Sequence, residues 1–292
     1  MARVSEAIAA DKPTISFEVF PPKREMPLEP VRAVVAALAR LHPSYMSVTY
    51  GAAGGDSAAN TSAIAGFVQN ECAVTALAHL TCVMASREAI AAEAARLVEL
   101  GIENVLALRG DVPVGFGYPS AAHFRHAAEL VGFLRGRFPQ LCLGGACYPE
   151  GHPECAHLAD DIAHLKAKVD AGLDFLTTQM FFDNSIFYTY LSKIRGAGIA
   201  VPVVPGIMPV TNARQITRIC QLSGTALPPR FKAIVDRFGD DPAAMRDAGA
   251  AYAVEQIVDL FANGIRHVHV YTMNRPEVAG CIVKGLGSIL KP

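Results

Sequence analysis

The chain contains no tryptophan, no long apolar run and no surplus of either charge. Over 292 residues, 26 Lys and Arg stand against 27 Asp and Glu, a formal net charge of −1. A chain so balanced has no basic footprint for a nucleic-acid backbone and no like-charged tail. Without Trp, and with only 8% aromatics, it offers little on which single-stranded bases could stack. No stretch approaches the roughly 18 consecutive apolar residues of a membrane span. The opening "MARVSEAIAADKP" lacks the basic start and apolar centre of a secretory signal. The seven cysteines are odd in number and form no Cys-x-x-Cys pair. Cys72, Cys82, Cys142 and Cys220 lie in or beside apolar runs, which reads as reduced thiols in a cytoplasmic protein. Repeats, low-complexity linkers and composition breaks are absent too, so residues 1–292 read as a single domain.

What is present is alternation. The chain is 51% apolar, enough for a large core. Eight short β-prone runs fall at 15–20, 45–51, 73–82, 104–110, 141–149, 174–182, 201–207 and 267–272. Helical patterns lie between them. "LEPVRAVVAALARL" keeps Val31, Val34, Val35, Leu38 and Leu41 on one face. "SREAIAAEAARLVELG" opens on Ser86 as N-cap and closes at Gly101; comparable runs close at Gly172 and Gly264. Strands alternating with helices predict a parallel sheet, apolar on both faces beneath its helices. Eight units in this length predict an α/β fold, a (β/α)8 TIM barrel in one domain. The stretch 208–266 is longer than one unit and predicts extra helices before the last strand. A doubly wound dinucleotide fold would show Gly-x-Gly-x-x-Gly after its first strand. Here that strand ends in Phe-Pro-Pro-Lys, and "GAAGGD" (51–56) has the wrong spacing and reads as a flexible loop.

In such a barrel, chemistry gathers at the C-terminal ends of the strands. Those ends carry Glu18, Thr49 with Tyr50, His79, Arg109 with Asp111, Tyr148, Gln179 and Tyr271. Solvent-facing ends would explain scattered polar residues. They explain less well an ionisable group inside apolar sequence, as at Glu18 and His79. A buried unpaired carboxylate costs several kcal/mol, so Glu18 is neutral, paired or used. Single signals are weak. His79 could be a satisfied core histidine, and Arg109 with Asp111 a surface pair. His267 and His269 share one strand face and read as core or rim packing. Cys147, His152, Cys155 and His157 do not match structural zinc spacing, so no metal is expected, and His152 reads better as a hydrogen-bonding group near a ligand.

Taken together, "SFEVFPPK", "VTYGA", "AHLTC", "LALRGD", "YPEGHPE", "LKAKVDAG", "TTQMFFD", "PGIMPVTN" and "YTMNR" resemble the 5,10-methylenetetrahydrofolate reductase family in its bacterial single-domain form. They follow the family's order and spacing from residue 15 to about 290. The resemblance implies a barrel that binds FAD without a Rossmann unit. It implies hydride transfer from NADH or NADPH to FAD, then to 5,10-methylenetetrahydrofolate, in a ping-pong scheme. Glu18 matches the general acid that protonates folate N10 and opens the five-membered ring. A free glutamate titrates near ~4.3; neighbours such as Phe17, Val19 and Phe20 are expected to raise it, and Pro21 and Pro22 to fix its direction. Asp111 matches the aspartate near the flavin and the pterin. Thr49, His79, Arg109, Gly110, Tyr148, His152, Asp161 and Lys168 match FAD-contacting positions, and Lys168 suits a pyrophosphate oxygen. Gln179, Gln215, Tyr271 and Arg275 fall on the substrate side.

Departures cluster at the adenosine-diphosphate end. Ala167 replaces a basic residue of some relatives, His164 an amide, and the loop after Gly51 lacks a common basic residue. His126 offers a stacking surface where relatives can place an aromatic. Weaker FAD retention is therefore expected. Rival readings are a barrel working mainly as a 5-methyltetrahydrofolate oxidase, a flavoenzyme for another small molecule, and a flavin or folate binder needing a partner subunit. The resemblance further implies a homo-oligomer. The chain's end at Pro292 suggests no regulatory domain of the eukaryotic kind.

Overall fold

The computed structural model describes residues 2–22, 26–50, 57–112 and 123–290; the loop read at 51–56 lies outside the described residues. The strands are β1 (Thr14–Val19), β2 (Met46–Val48), β3 (Ala76–Thr81), β4 (Asn104–Leu108), β5 (Cys142–Cys147), β6 (Phe175–Thr178), β7 (Val203–Val204), β8 (Gly206–Ile207) and β9 (His267–Tyr271). All neighbours pair in parallel, in the order β7-β6-β5-β4-β3-β2-β1-β9-β8. β7 and β8 are halves of one seventh strand, split at Pro205, which has no N–H to give the ladder. β7 pairs with β6 and β8 with β9, and the His269 N–H donates to the Pro205 carbonyl at 2.9 Å. The ring therefore closes as the expected eight-stranded barrel.

Helices cover the outside: α2 (Glu29–Ala39), α3 (Ser57–Gly66), α4 (Arg87–Glu99), α5 (Ala127–Arg137), α6 (Leu158–Asp170) and α7 (Asn184–Gly196). After the seventh strand come α8 (Ala213–Ser223), α9 (Pro229–Phe238) and α10 (Pro242–Ala262), the extra helices anticipated before β9; α11 (Pro276–Leu286) follows it. The caps are those read from sequence. The Ser86 hydroxyl accepts from the Ala89 N–H at 3.2 Å, and Gly101, past the end of α4, takes φ +78°. A short α1 (Val4–Ile8) closes the N-terminal end of the barrel, packing Val4 and Ile8 on Tyr45, Leu77, Leu106, Cys142, Phe175 and Val204.

One expectation changes. The strands are not all apolar on both faces. Side chains alternate along a strand, so Ile15, Phe17 and Val19 of β1 join the core beneath the helices. Thr14, Ser16 and Glu18 take the opposite face, toward the barrel axis. β9 does the same: Val268 and Val270 pack outward, while His267, His269 and Tyr271 face inward.

Candidate active site

The barrel axis beneath the mouth is polar where β1, β2 and β9 meet. Both nitrogens of His269 are engaged: Nδ1 lies 2.7 Å from Ser16 Oγ and Nε2 lies 3.0 Å from Ser47 Oγ. Ser16 Oγ also reaches His267 Nε2 at 2.9 Å, and His267 Nδ1 meets Thr14 Oγ1 at 2.5 Å. Tyr45 stacks on both imidazoles, with ring centroids 5.2 and 5.5 Å apart.

Glu18 sits on top of this column. Its Oε2 is 3.6 Å from His79 Nε2 and 3.9 Å from His269 Nε2. Burial pushes the carboxyl up from 4.5 to about 8. Burial also lowers His79 and His267 from 6.5 to about 3. His269 is held well below its usual value by burial, then by His267 and His79. At neutral pH this is a protonated acid among neutral imidazoles, not a set of ion pairs. The Glu18 side chain keeps 20% of its surface exposed, enough for a ligand at the mouth to reach it. The groups doing this were not the expected ones. Phe17 and Val19 lie on the other face of β1, and Phe20 is 40% exposed. Enclosure within the barrel raises Glu18.

A cavity of about 470 Å³ opens beside the mouth, between the ends of β4 and β5 and helices α5 and α6. Seven of the residues read from sequence line it: Arg109, His126, Tyr148, His152, Asp161, His164 and Lys168. Asp161, His164 and Lys168 recur at helical spacing on α6, which turns one face of that helix to the cavity. His126 is the N-cap of α5, and the first turn of α5 also lines the wall. Lys168 is enclosed, and its ammonium donates to the Ala146 carbonyl; burial lowers its pKa, against the opposing pull of Cys147 and Asp161. Arg109 is gripped by both carboxylate oxygens of Glu154, each at 2.6 Å. Its partner is thus Glu154 rather than Asp111. Tyr148 packs edge-on against His152, with centroids 4.6 Å apart.

Other predicted residues lie around the mouth. Thr49 is half-buried past the end of β2, and its N–H donates to Val19 O at 3.0 Å. Gly110 takes φ +86°, where a Cβ would press on Thr81 and Val83. Asp111 is exposed and outside the cavity wall; burial raises Tyr148 first, then Asp161 and Cys147, with Asp111 adding a smaller push. Gln179 turns back, its Oε1 accepting from the Met180 N–H at 2.9 Å. The Tyr271 hydroxyl donates to Thr178 O at 2.5 Å. Gln215 is exposed on α8, and Arg275 donates to Thr211 Oγ1 at 2.8 Å. Sequence reasoning passed over Ser16, Ser47, Tyr45 and Glu154, and took His267 and His269 only as packing. The signal for the column was the period of two shared by Thr14-x-Ser16-x-Glu18, Tyr45-x-Ser47-x-Thr49 and His267-x-His269-x-Tyr271.

A model of the methylenetetrahydrofolate reductase family matches residues 3–287. The 5,10-methylenetetrahydrofolate reductase of Pectobacterium carotovorum is 34% identical over 273 residues, covering 94% of this chain and 90% of that protein. The Escherichia coli enzyme of the same name is 33% identical with the same coverage. Methylenetetrahydrofolate reductase 1 of Schizosaccharomyces pombe is 36% identical over 280 residues, but these are 46% of its length, so the chain spans about half of such eukaryotic relatives. Among solved structures, a Clostridium thermocellum protein described as binding two copies of 5-methyl-5,6,7,8-tetrahydrofolic acid aligns over 98% of both chains, with a TM-score of 0.64 and 13% identity. A 2,3-dimethylmalate lyase aligns at 0.56 with 10% identity. At that identity the two structures share the fold and no more. The family model and the bacterial relatives run nearly end to end, and the chain belongs to the methylenetetrahydrofolate reductase family.

Proposed function

We propose that this protein is a flavin-dependent reductase of 5,10-methylenetetrahydrofolate, with residues 1–292 acting as one catalytic domain. The cavity suits FAD chemically. It offers the Lys168 ammonium, the Arg109 guanidinium and the first turn of α5, all of which favour a pyrophosphate. His79 Nε2, buried without a hydrogen-bond partner among the described residues, points to a polar group at the mouth. When bound there, a flavin would take a hydride from a reduced nicotinamide and return it to the folate. NADH and NADPH both fit this scheme; a maize relative, 34% identical, is named for NADH.

The chain's own part is acid chemistry and placement. Glu18 donates its proton to folate N10, the bond from N10 to the bridging carbon breaks, and an electrophilic N5-methylene iminium is left. The carboxylate so formed stabilises that cation until hydride arrives. Asp111 accepts from the pterin amino group. Gln179, Gln215, Tyr271 and Arg275 line the substrate side, with Arg275 suited to the acidic tail.

The observation that carries this reading is a glutamate enclosed at the barrel mouth, its carboxyl 3.6 Å and 3.9 Å from two buried imidazoles, an enclosure that favours the protonated acid. Glu18→Gln tests it. Rapid-mixing spectroscopy should show flavin reduction by the nicotinamide largely retained and reoxidation by the folate nearly abolished. Equal loss of both half-reactions would make Glu18 structural and sink the proposal.

A further inference from the structure

Just past β9, Met273 and Asn274 adopt φ of 52° and 55°, two successive non-glycine residues in the left-handed region. Such a conformation costs about 1–2 kcal/mol for an ordinary side chain. Asn adopts it at lower cost than Met. What the turn secures lies on the neighbouring strand. The Thr272 hydroxyl donates to the Glu18 carbonyl at 2.6 Å. Asn274 Oδ1 accepts from the Phe20 N–H at 3.0 Å, and its Nδ2 donates to the Phe20 carbonyl at 2.9 Å.

The backbone pairing of β1 with β9 ends at Glu18 and Tyr271. Beyond it come Phe20, 40% exposed, and two prolines without N–H groups. Met273, opposite, is 42% exposed. Val19 is still held, buried in the core and with its carbonyl accepting from the Thr49 N–H; from Phe20 onward, neither apolar burial nor a backbone ladder among the described residues anchors the segment. The Asn274 amide does so at Phe20, with both of its polar atoms used, and Asn60 Nδ2 donates to the Pro22 carbonyl at 3.4 Å.

We propose that Asn274 is a positioning residue that keeps the end of β1 closed over Glu18 and so keeps water from its carboxyl. The inference rests on Glu18 being the acid of the proposed reaction. The groups facing Glu18 are His79 on β3, His269 and Tyr271 on β9, and the Tyr45 hydroxyl beside β2. None of them hydrogen-bonds Asn274, whose amide bonds Phe20 instead.

The test compares thermal unfolding of wild type, Glu18→Gln, Asn274→Ala and the double variant between about pH 5.5 and 8.5. In the wild-type background, Glu18→Gln should gain stability as pH rises, because an ionisable buried carboxyl has been removed. In the Asn274→Ala background that gain should shrink by about half or more, since a hydrated carboxyl ionises at little cost. Asn274→Asp keeps an acceptor for the Phe20 N–H but loses the donor, and should restore part of the gain. In rapid mixing, Asn274→Ala should slow the folate step about tenfold and move its alkaline limb to lower pH. An undiminished gain in the Asn274→Ala background would overturn the proposal, even where unfolding temperature falls throughout. Absence of any folate step in wild type would overturn the functional reading instead. The unfolding comparison would still judge the clamp.

Discussion

A carboxyl that titrates near 8 rather than 4.5 ties the rate to pH in a definite direction. Glu18 must be protonated to donate. The folate step should hold level below about pH 8 and fall roughly tenfold per unit above it, measured as reoxidation of reduced flavin by folate across pH. A limb near pH 5 would mean that Glu18 is hydrated in the working enzyme. The imidazoles do not compete for this role, since His79 stays neutral until about pH 3. Glu18 and the upward direction of its shift were legible in sequence because a charge inside "SFEVF" has no structural excuse. The cause of its shift was not. Which neighbours surround a strand residue depends on pairing with β2 and β9, and sequence neighbours lie on the opposite face.

Among the elements, α6 and the loop after β5 decide how tightly a dinucleotide could be held. Ala167 and His164 line the cavity where a further cation would help, and Glu154 already occupies Arg109. Glu154 is 58% exposed, so it can swing away at modest cost. Flavin should be lost from the purified protein on dilution and gel filtration, and Glu154→Gln should bind it more tightly by removing the carboxylate from beside Arg109; fluorescence titration with FAD would show either effect. Full retention through gel filtration would contradict the first expectation. A second element-scale constraint is Gly249. It brings α10 so close to the 208–212 segment that an added Cβ would fall on the Val210 carbonyl. That segment carries Thr211, the acceptor for Arg275. Gly249→Ala should destabilise by about 1–3 kcal/mol, read as a lowered midpoint in urea. The helices and caps here were legible from period and from Ser86, Gly101, Gly172 and Gly264. The close crossing at Gly249 was not, because a glycine inside a helical pattern looks the same whether its face is open or pressed.

For the whole molecule, the buried groups set opposing slopes of stability against pH. His79, His267 and His269 have folded values below the unfolded 6.5, so the unfolded chain binds more protons beneath that pH. Their contribution is complete above about 6.5 and is lost as pH falls, each at up to roughly 1.4 kcal/mol per unit. Glu18 works in reverse: its folded value is raised, so stability is greatest below 4.5 and declines as pH rises toward 8. Three histidines outweigh one carboxyl on the acid side. Maximum stability should therefore fall between about pH 6.5 and 7, with acid unfolding led by imidazole protonation. Denaturant midpoints across pH would check it, and a maximum near pH 5 would contradict it.

The sequence by itself determined the barrel, because strand and helix periods are local and eight alternations leave one economical closure. It also singled out a glutamate at position 18 and, at strand ends, Arg109 and Tyr148 of the cavity lining; the rest of the lining named from sequence came through resemblance to the family. Only the tertiary structure decided that Arg109 meets Glu154, that His267 and His269 stand in a column below Glu18, and that Asn274 reaches across to Phe20. Those contacts join residues 45 to more than 250 positions apart. Their geometry depends on strand register and closure of the ring, which no local pattern encodes.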